Sequence, residues 1–373
     1  MKNNLDKISF SDIVNNNIVT KNIVRIILYT FFYLIRKFNK LFIINDGNIV
    51  IISLHKLGDT VFTIPAIREV QKYYNKKIII VCYPDSVPLY NMALENIDYC
   101  VLKKTDFRLR ERIAKKEARK KIRSLNPQII FDLSGTATLI FNLKSEKKIG
   151  VTKKQYKTVY DYYVEIRKNP KLVDIYIDVI SPLIDVSNRE NININQKPSI
   201  APDGIILIHP FAAWKEKEWN FSKYIYLAKK LNEKFKVSLI VQPNQISFDV
   251  LQELTACDID VIQSLSSSEL IQKIKECSFF IGNDSGPINI ANFLGKPTFT
   301  IYGATNPDYT ASHFDHQIFI QKNLKCSPGT NEKYCFIGAG IRDCSGIQCL
   351  NLLTSDKVYI RLFPLIESFV NEK

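Results

Sequence analysis

Apolar and polar residues fall along this chain in alternating blocks. Short β-branched runs recur, each closed by a turn carrying Gly, Asp or Pro and followed by a stretch with helical spacing. In NIVIISLHKLGDTVFTIPAIREVQKYY (48–74) the run 49–53 predicts a strand. Gly58-Asp59 marks the turn, and Pro65 falls in the first turns of a helix. KKIIIVCYP (76–84) predicts a second strand, 107–124 a basic helix and PQIIFDLSG (127–135) a further strand. A Lys-, Tyr- and Asn-rich middle (144–198) carries no clear element. The pattern then restarts, with strands in 204–211, 237–243, 278–282 and 297–303 and helices over 220–235, 265–277 and 286–294. Strands alternating with helices predict an α/β chain with parallel sheets covered by helices.

Two doubly wound halves of similar size follow, joined through a polar, Pro-containing stretch near 195–204. With 373 residues, each half can bury its own core. The expected divisions are 1–45 (a basic and apolar helical extension), 46–200, 201–352 and a final helical segment, 353–373.

Ligands of such folds sit beyond the carboxyl ends of strands. Asn283-Asp284-Ser285-Gly286 stands at such an end and opens the next helix, where unpaired N–H groups and the positive end of the dipole favour a phosphate. Gly286 lets the backbone approach closely. A plain helix cap by Asp or Ser is the competing reading. Tyr302–Pro307 closes the neighbouring strand, so two strand-end loops can form one pocket wall.

Composition adds a partner. The net charge of +14 points to an anionic one: nucleic acid, an acidic membrane surface or a phosphorylated small molecule. The run 103–123 holds much of that charge, but without aromatic interleaving or a nucleic-acid module. Nucleic acid is therefore disfavoured, and a merely solvated helix face is the competing reading. The polar N-terminus lacks the charged and apolar regions of a secretory signal, and the apolar run 26–35 is too short to span a bilayer, so a cytoplasmic location is expected. The segment 18–44, aromatic and apolar with Lys21, Arg25, Arg36, Lys37 and Lys40, fits either a helix packed on the body or one lying on the inner membrane face.

Three blocks, in order, resemble the heptosyltransferase family, glycosyltransferase family 9: ISLHKLGDTVFTIPAIREVQ (52–71), IHPFAAWKEKEW (208–219) and GNDSGPINIANFLGKPTFTIYGATNP (282–307). The resemblance implies a GT-B fold, with two Rossmann-like domains facing across a cleft, the first for the acceptor and the second for the nucleotide-sugar donor. The last helix would return towards the first domain. It implies inverting transfer of heptose from ADP-heptose to a lipopolysaccharide inner-core acceptor, without a catalytic metal. Transfer from another nucleotide sugar or onto an autotransporter protein is a second reading, and a non-catalytic glycolipid-binding component a third. Asp59, beside the turn glycine Gly58, matches the base, and Lys217 the lysine that meets the leaving diphosphate. Asp284, Ser285, Gly286, Asn289 and Thr305 fall at donor-binding positions. Three positions depart from the family pattern: Phe211 replaces a glycine, Ala213 a hydroxyl residue and Asn289 a histidine. Phe211 is expected to add bulk near the phosphate path.

Eight cysteines in a chain of this size do not read as a secreted disulfide scaffold. Four lie late, Cys326, Cys335, Cys344 and Cys349, without a CxxC pair. They raise a structural zinc or iron site. Some relatives that modify autotransporters hold an iron through cysteines; the alternative is reduced thiols.

Overall fold

The computed structural model describes residues 18–42, 46–103, 112–167, 171–187, 198–201, 204–263, 265–311, 314–329, 332–335 and 346–371. The first six-stranded sheet contains β1 (Asn48–Ile52), β2 (Ile78–Cys82), β3 (Ile97–Val101), β4 (Pro127–Asp132), β5 (Lys147–Gly150) and β6 (Tyr162–Tyr163). Its order is β3-β2-β1-β4-β5-β6. The second contains β7 (Ile206–His209), β8 (Val237–Val241), β9 (Asp260–Gln263), β10 (Phe279–Asn283), β11 (Thr298–Tyr302) and β12 (Gln317–Gln321), ordered β12-β11-β10-β7-β8-β9. Every pairing is parallel. This is the α/β architecture the pattern predicted and the GT-B arrangement the resemblance implied. Each sheet reverses its strand order once, between β1 and β4 and between β7 and β10, and a crevice opens at such a point.

Strand sequences explain the layering. β2 (IIIVC), β8 (VSLIV) and β10 (FFIGN) are buried at every position, as strands covered on both faces must be. Along β1, Ile49 and Ile51 point one way, into a cluster that also takes Leu207, Ile240, Phe280 and Ile288 from the second half. Val50 and Ile52 point the other way, into a cluster with Phe32, Ile122 and Ile140. The halves therefore share one apolar cluster. At their junction the helices Leu57–Thr60 and Gly286–Phe293 meet through two glycines: a Cβ placed on Gly58 would lie 2.2 Å from the Gly286 Cα.

Several expectations change. The middle read as featureless holds β5, β6 and the helix Leu172–Ile180. β5 was hidden by Lys148, which is buried with its ammonium pKa pushed down to about 8 by that burial. The strand in 127–135 stops at Asp132, ahead of the polar turn residues that close this stretch. There Tyr160, Ser134 and Thr136 all donate to the carboxylate and turn the chain. The basic helix is described from Arg112; 104–111 and half of the expected linker (195–197, 202 and 203) lie outside the described residues. The final helix, Ser355–Asn371, packs on the second half rather than the first. Val358, Leu362 and Ile366, one face at four-residue spacing, join the core around Leu227 and Leu231, and Phe369 meets Phe279.

The glycine contact carries the first prediction. Gly58→Ala forces backbone apart and should lower stability by about 1–3 kcal/mol in urea denaturation; wild-type stability would mean the two helix starts are not in contact in solution.

Candidate functional site

A cavity of about 380 Å³ lies between the halves, at the carboxyl ends of the strands flanking both reversal points. Gly58, Asp59, Lys217, Asp284, Ser285, Gly286, Asn289 and Thr305 all line it, although they come from loops up to 247 positions apart (Gly58 to Thr305). His55, Trp214, Tyr309, Lys333 and Tyr334 complete the wall.

Asn283 organises the donor side. It is fully buried; its Oδ1 accepts from the Trp219 N–H (3.0 Å) and the Tyr224 hydroxyl (2.9 Å), and its Nδ2 donates to the Pro210 carbonyl (2.7 Å). The end of β10 thus grips the loop 210–219. Within that loop the Ala212 N–H donates to Glu218 Oε1 at 3.1 Å, and the Glu216 carbonyl accepts from the Ala304 N–H. Lys217 is consequently held over the cavity, its Nζ 2.6 Å from Asp284 Oδ2 and 4.6 Å from the centre of the Trp214 ring. Thr305 donates to the same Oδ2 (2.8 Å) and Thr310 to Oδ1 (3.3 Å). Asp284 is therefore no helix cap: the helix after it, Gly286–Phe293, has Ser285 at its cap position, without a side-chain cap bond. Its carboxylate instead fixes the position of Lys217, whose ammonium has further N–H donors to offer.

Two polar atoms on this wall, Ser285 Oγ and Asn289 Oδ1, are buried and have no hydrogen-bond partner among the described residues. An unpaired buried acceptor or hydroxyl costs about 1–3 kcal/mol, and a ligand supplying the partner recovers it. Phe211 does not narrow the cavity as expected. Its ring packs on Phe221, 5.1 Å between centres, while Ala213 is the departing residue that lines the wall.

Across the gap, Asp59 sits in the first turn of Leu57–Thr60. Burial raises its carboxyl pKa, opposed by the positive charges of Lys333, Lys217 and Lys56 and reinforced by Asp284. Lys333 was not anticipated. The chain 333–335 runs antiparallel to 304–306: Asn306 N–H donates to the Lys333 carbonyl, Cys335 N–H to that of Ala304, and Thr305 bridges Tyr334. This lays the Lys333 ammonium 4.3 Å from the Tyr309 ring centre, where burial lowers its pKa against the pull of Asp59. No local pattern marks a lysine whose place depends on a loop folding back. His55 was also passed over, though its position just after β1 was a signal. Its Nε2 lies 3.2 Å from Ser134 Oγ, and burial pushes its pKa down to about 4, so the ring is neutral.

Of the late cysteines, Cys326 is exposed and Cys335 and Cys349 are half-buried; Cys344 lies outside the described residues. Among the described residues no three His, Cys, Asp or Glu side chains are grouped to hold a metal.

Two Rossmann-like domains with a cationic cleft at their reversal points have the GT-B architecture. The profile of glycosyltransferase family 9 (heptosyltransferase) matches residues 119–336, more than half of the chain, and the chain belongs to that family. The match begins after the Asp59 loop. Lipopolysaccharide heptosyltransferase 1 of Campylobacter coli is 30% identical over 112 residues, 28% of this chain; the matched part spans about a third, 32%, of that relative. The glycosyl transferase family 9 structure from Veillonella parvula has a TM-score of 0.68 at 18% identity, covering 87% of this chain and 98% of that one. The structure of E. coli ADP-heptose LPS heptosyltransferase II has a TM-score of 0.63 at 17% identity, covering 86% and 99%.

Burial makes one strand-end residue a stability sensor. His209, at the end of β7, has its pKa pushed down to about 4 from 6.5. Between those values the unfolded chain binds the extra proton and the folded one resists it. The stability this histidine contributes is complete above pH 6.5 and is lost as pH falls towards 4. The loss should amount to about 3 kcal/mol. Urea denaturation across this range should show a shallower pH dependence for His209→Asn; an unchanged slope would mean that His209 is protonated in the folded protein.

Proposed function

We propose that this chain transfers a heptose from ADP-heptose, with inversion, to a phosphorylated glycolipid of the lipopolysaccharide inner core, at the cytoplasmic side of the membrane. The observation that carries this reading is the facing pair across the cleft: a carboxylate with a raised pKa, Asp59, opposite a lysine held by a buried aspartate, Lys217 on Asp284.

In this reading Asp59 takes the proton of the acceptor hydroxyl as that oxygen attacks the anomeric carbon. The bond from that carbon to the diphosphate breaks, and its electron pair leaves with ADP. Lys217 and Lys333 meet the growing negative charge, together with N–H groups at the start of Gly286–Phe293. Ser285 Oγ and Asn289 Oδ1 gain partners from the donor, Asn289 serving where the family has a histidine. The names of the relatives support ADP-heptose as donor and lipopolysaccharide as destination.

A base must be deprotonated, so kcat/KM should rise with pH through the raised pKa of Asp59 and level off above it. Asp59→Asn should cut kcat by about 10²–10⁴-fold and remove that rise, while ADP affinity, read by calorimetry, stays within about twofold. Turnover like the wild type would exclude Asp59 as the base.

A further inference from the structure

The helix Ile18–Lys40 precedes the first strand, and none of its residues lines the cleft. One of its faces is firmly seated. Phe32 is buried among Phe141 and Tyr156, the Tyr29 hydroxyl donates to the Lys154 carbonyl (3.0 Å), and Lys40 and Arg36 reach Asp161 at 2.7 and 3.8 Å. These contacts fix the helix in rotation. The opposite face is nonetheless apolar. Ile23, Ile27, Leu34, Phe38 and Leu41, spaced four, seven, four and three apart, form one stripe with Ile26 and Phe31 beside it. Ile27 is 60% exposed, Leu34 59%, Phe38 62% and Leu41 76%. Isolated exposed apolar residues are ordinary; a continuous stripe along about five turns marks a surface that is covered in use.

The surroundings of the stripe are basic. Phe42, at its end, has the Lys144 ammonium 4.6 Å from its ring centre and shares a shallow hollow with Arg123. Arg123 ends the helix Arg112–Ser124, whose Lys116, Lys120 and Lys121 are exposed beside the single acid Glu117. That helix adjoins the stripe through Arg119, which stacks on Phe141 against Phe31 and Phe32. Lys153 and Lys154 are exposed on the other flank. Apolar side chains rimmed by lysine and arginine match a bilayer interface, where the chains enter the acyl boundary and the cations meet anionic headgroups. A second copy of the chain would set these cations against one another. Because its inner face is packed on the protein, the helix must lie in the plane of the surface.

We propose that the outer face of Ile18–Lys40, with the basic rim of Arg112–Ser124, is a docking surface for an anionic membrane. It holds the enzyme on the bilayer whichever donor sugar the cleft accepts.

The test is flotation of the full chain with vesicles of phosphatidylethanolamine and phosphatidylglycerol, and with vesicles of phosphatidylcholine alone. The full chain should float with the anionic vesicles, less so as salt rises, and hardly with the neutral ones. The double variant Ile27→Glu/Leu34→Glu should bind at least about tenfold more weakly. A circular-dichroism melt like the wild type would establish that this loss is not unfolding; if the double variant melts early, Lys116→Glu/Lys120→Glu, on exposed side chains, takes its place with the same expected direction. Equal flotation of a folded variant would overturn the proposal. So would a wild type that is dimeric by light scattering, monomeric after Ile27→Glu/Leu34→Glu, and indifferent to vesicles: the stripe would then belong to a second copy.

Discussion

The cleft depends on two backbones being allowed to touch. Gly58 and Gly286 begin helices in different halves of the chain, and their contact leaves no room for a Cβ on Gly58. That closeness brings Asp59 and Asp284, each within two residues of a glycine, to the same cavity. The shared apolar cluster behind the contact, from Ile49 and Ile51 to Phe280 and Ile288, holds the halves at that distance. The glycines are thus a matter of space: neither has a positive φ.

Charge in the cleft is arranged by the same economy of contacts. Asp284 is nearly inaccessible, so its charge requires partners, and Lys217, Thr305 and Thr310 supply them. The consequence is a lysine with a fixed position instead of a mobile one, which matters where developing charge must be met without reorganisation. Asn283, buried and hydrogen-bonded three times, does the equivalent for the loop that carries Lys217. On the other wall the Asp59 carboxyl has no such hydrogen-bond partners among the described residues, and burial raises its pKa.

The fold was legible because its signals are local. Runs such as NIVII and FFIGN, followed by polar turns, have few alternatives in a chain of this length. β5 and the two-residue β6 were not, since a lysine in a short strand reads as surface until its burial is seen. The pocket residues on strand-end loops were also legible, from Asp59 to Thr305. Lys333 was not, because its place depends on pairing between 333–335 and 304–306. Phe211 misled for a related reason: its identity suggested an obstruction, whereas its partner Phe221 turns it away. The final helix had a readable apolar face, but nothing in that face said which half would receive it.

The account stands on the cleft being a nucleoside-diphosphate site selective for adenine. Calorimetric titration of ADP, UDP and GDP into the wild type and into Lys217→Met measures this directly. The account predicts that ADP binds the wild type at least about tenfold more tightly than UDP or GDP, and that the variant loses most of that affinity. Preference for UDP or GDP would contradict ADP-heptose as the donor, and silence from all three would contradict the site itself.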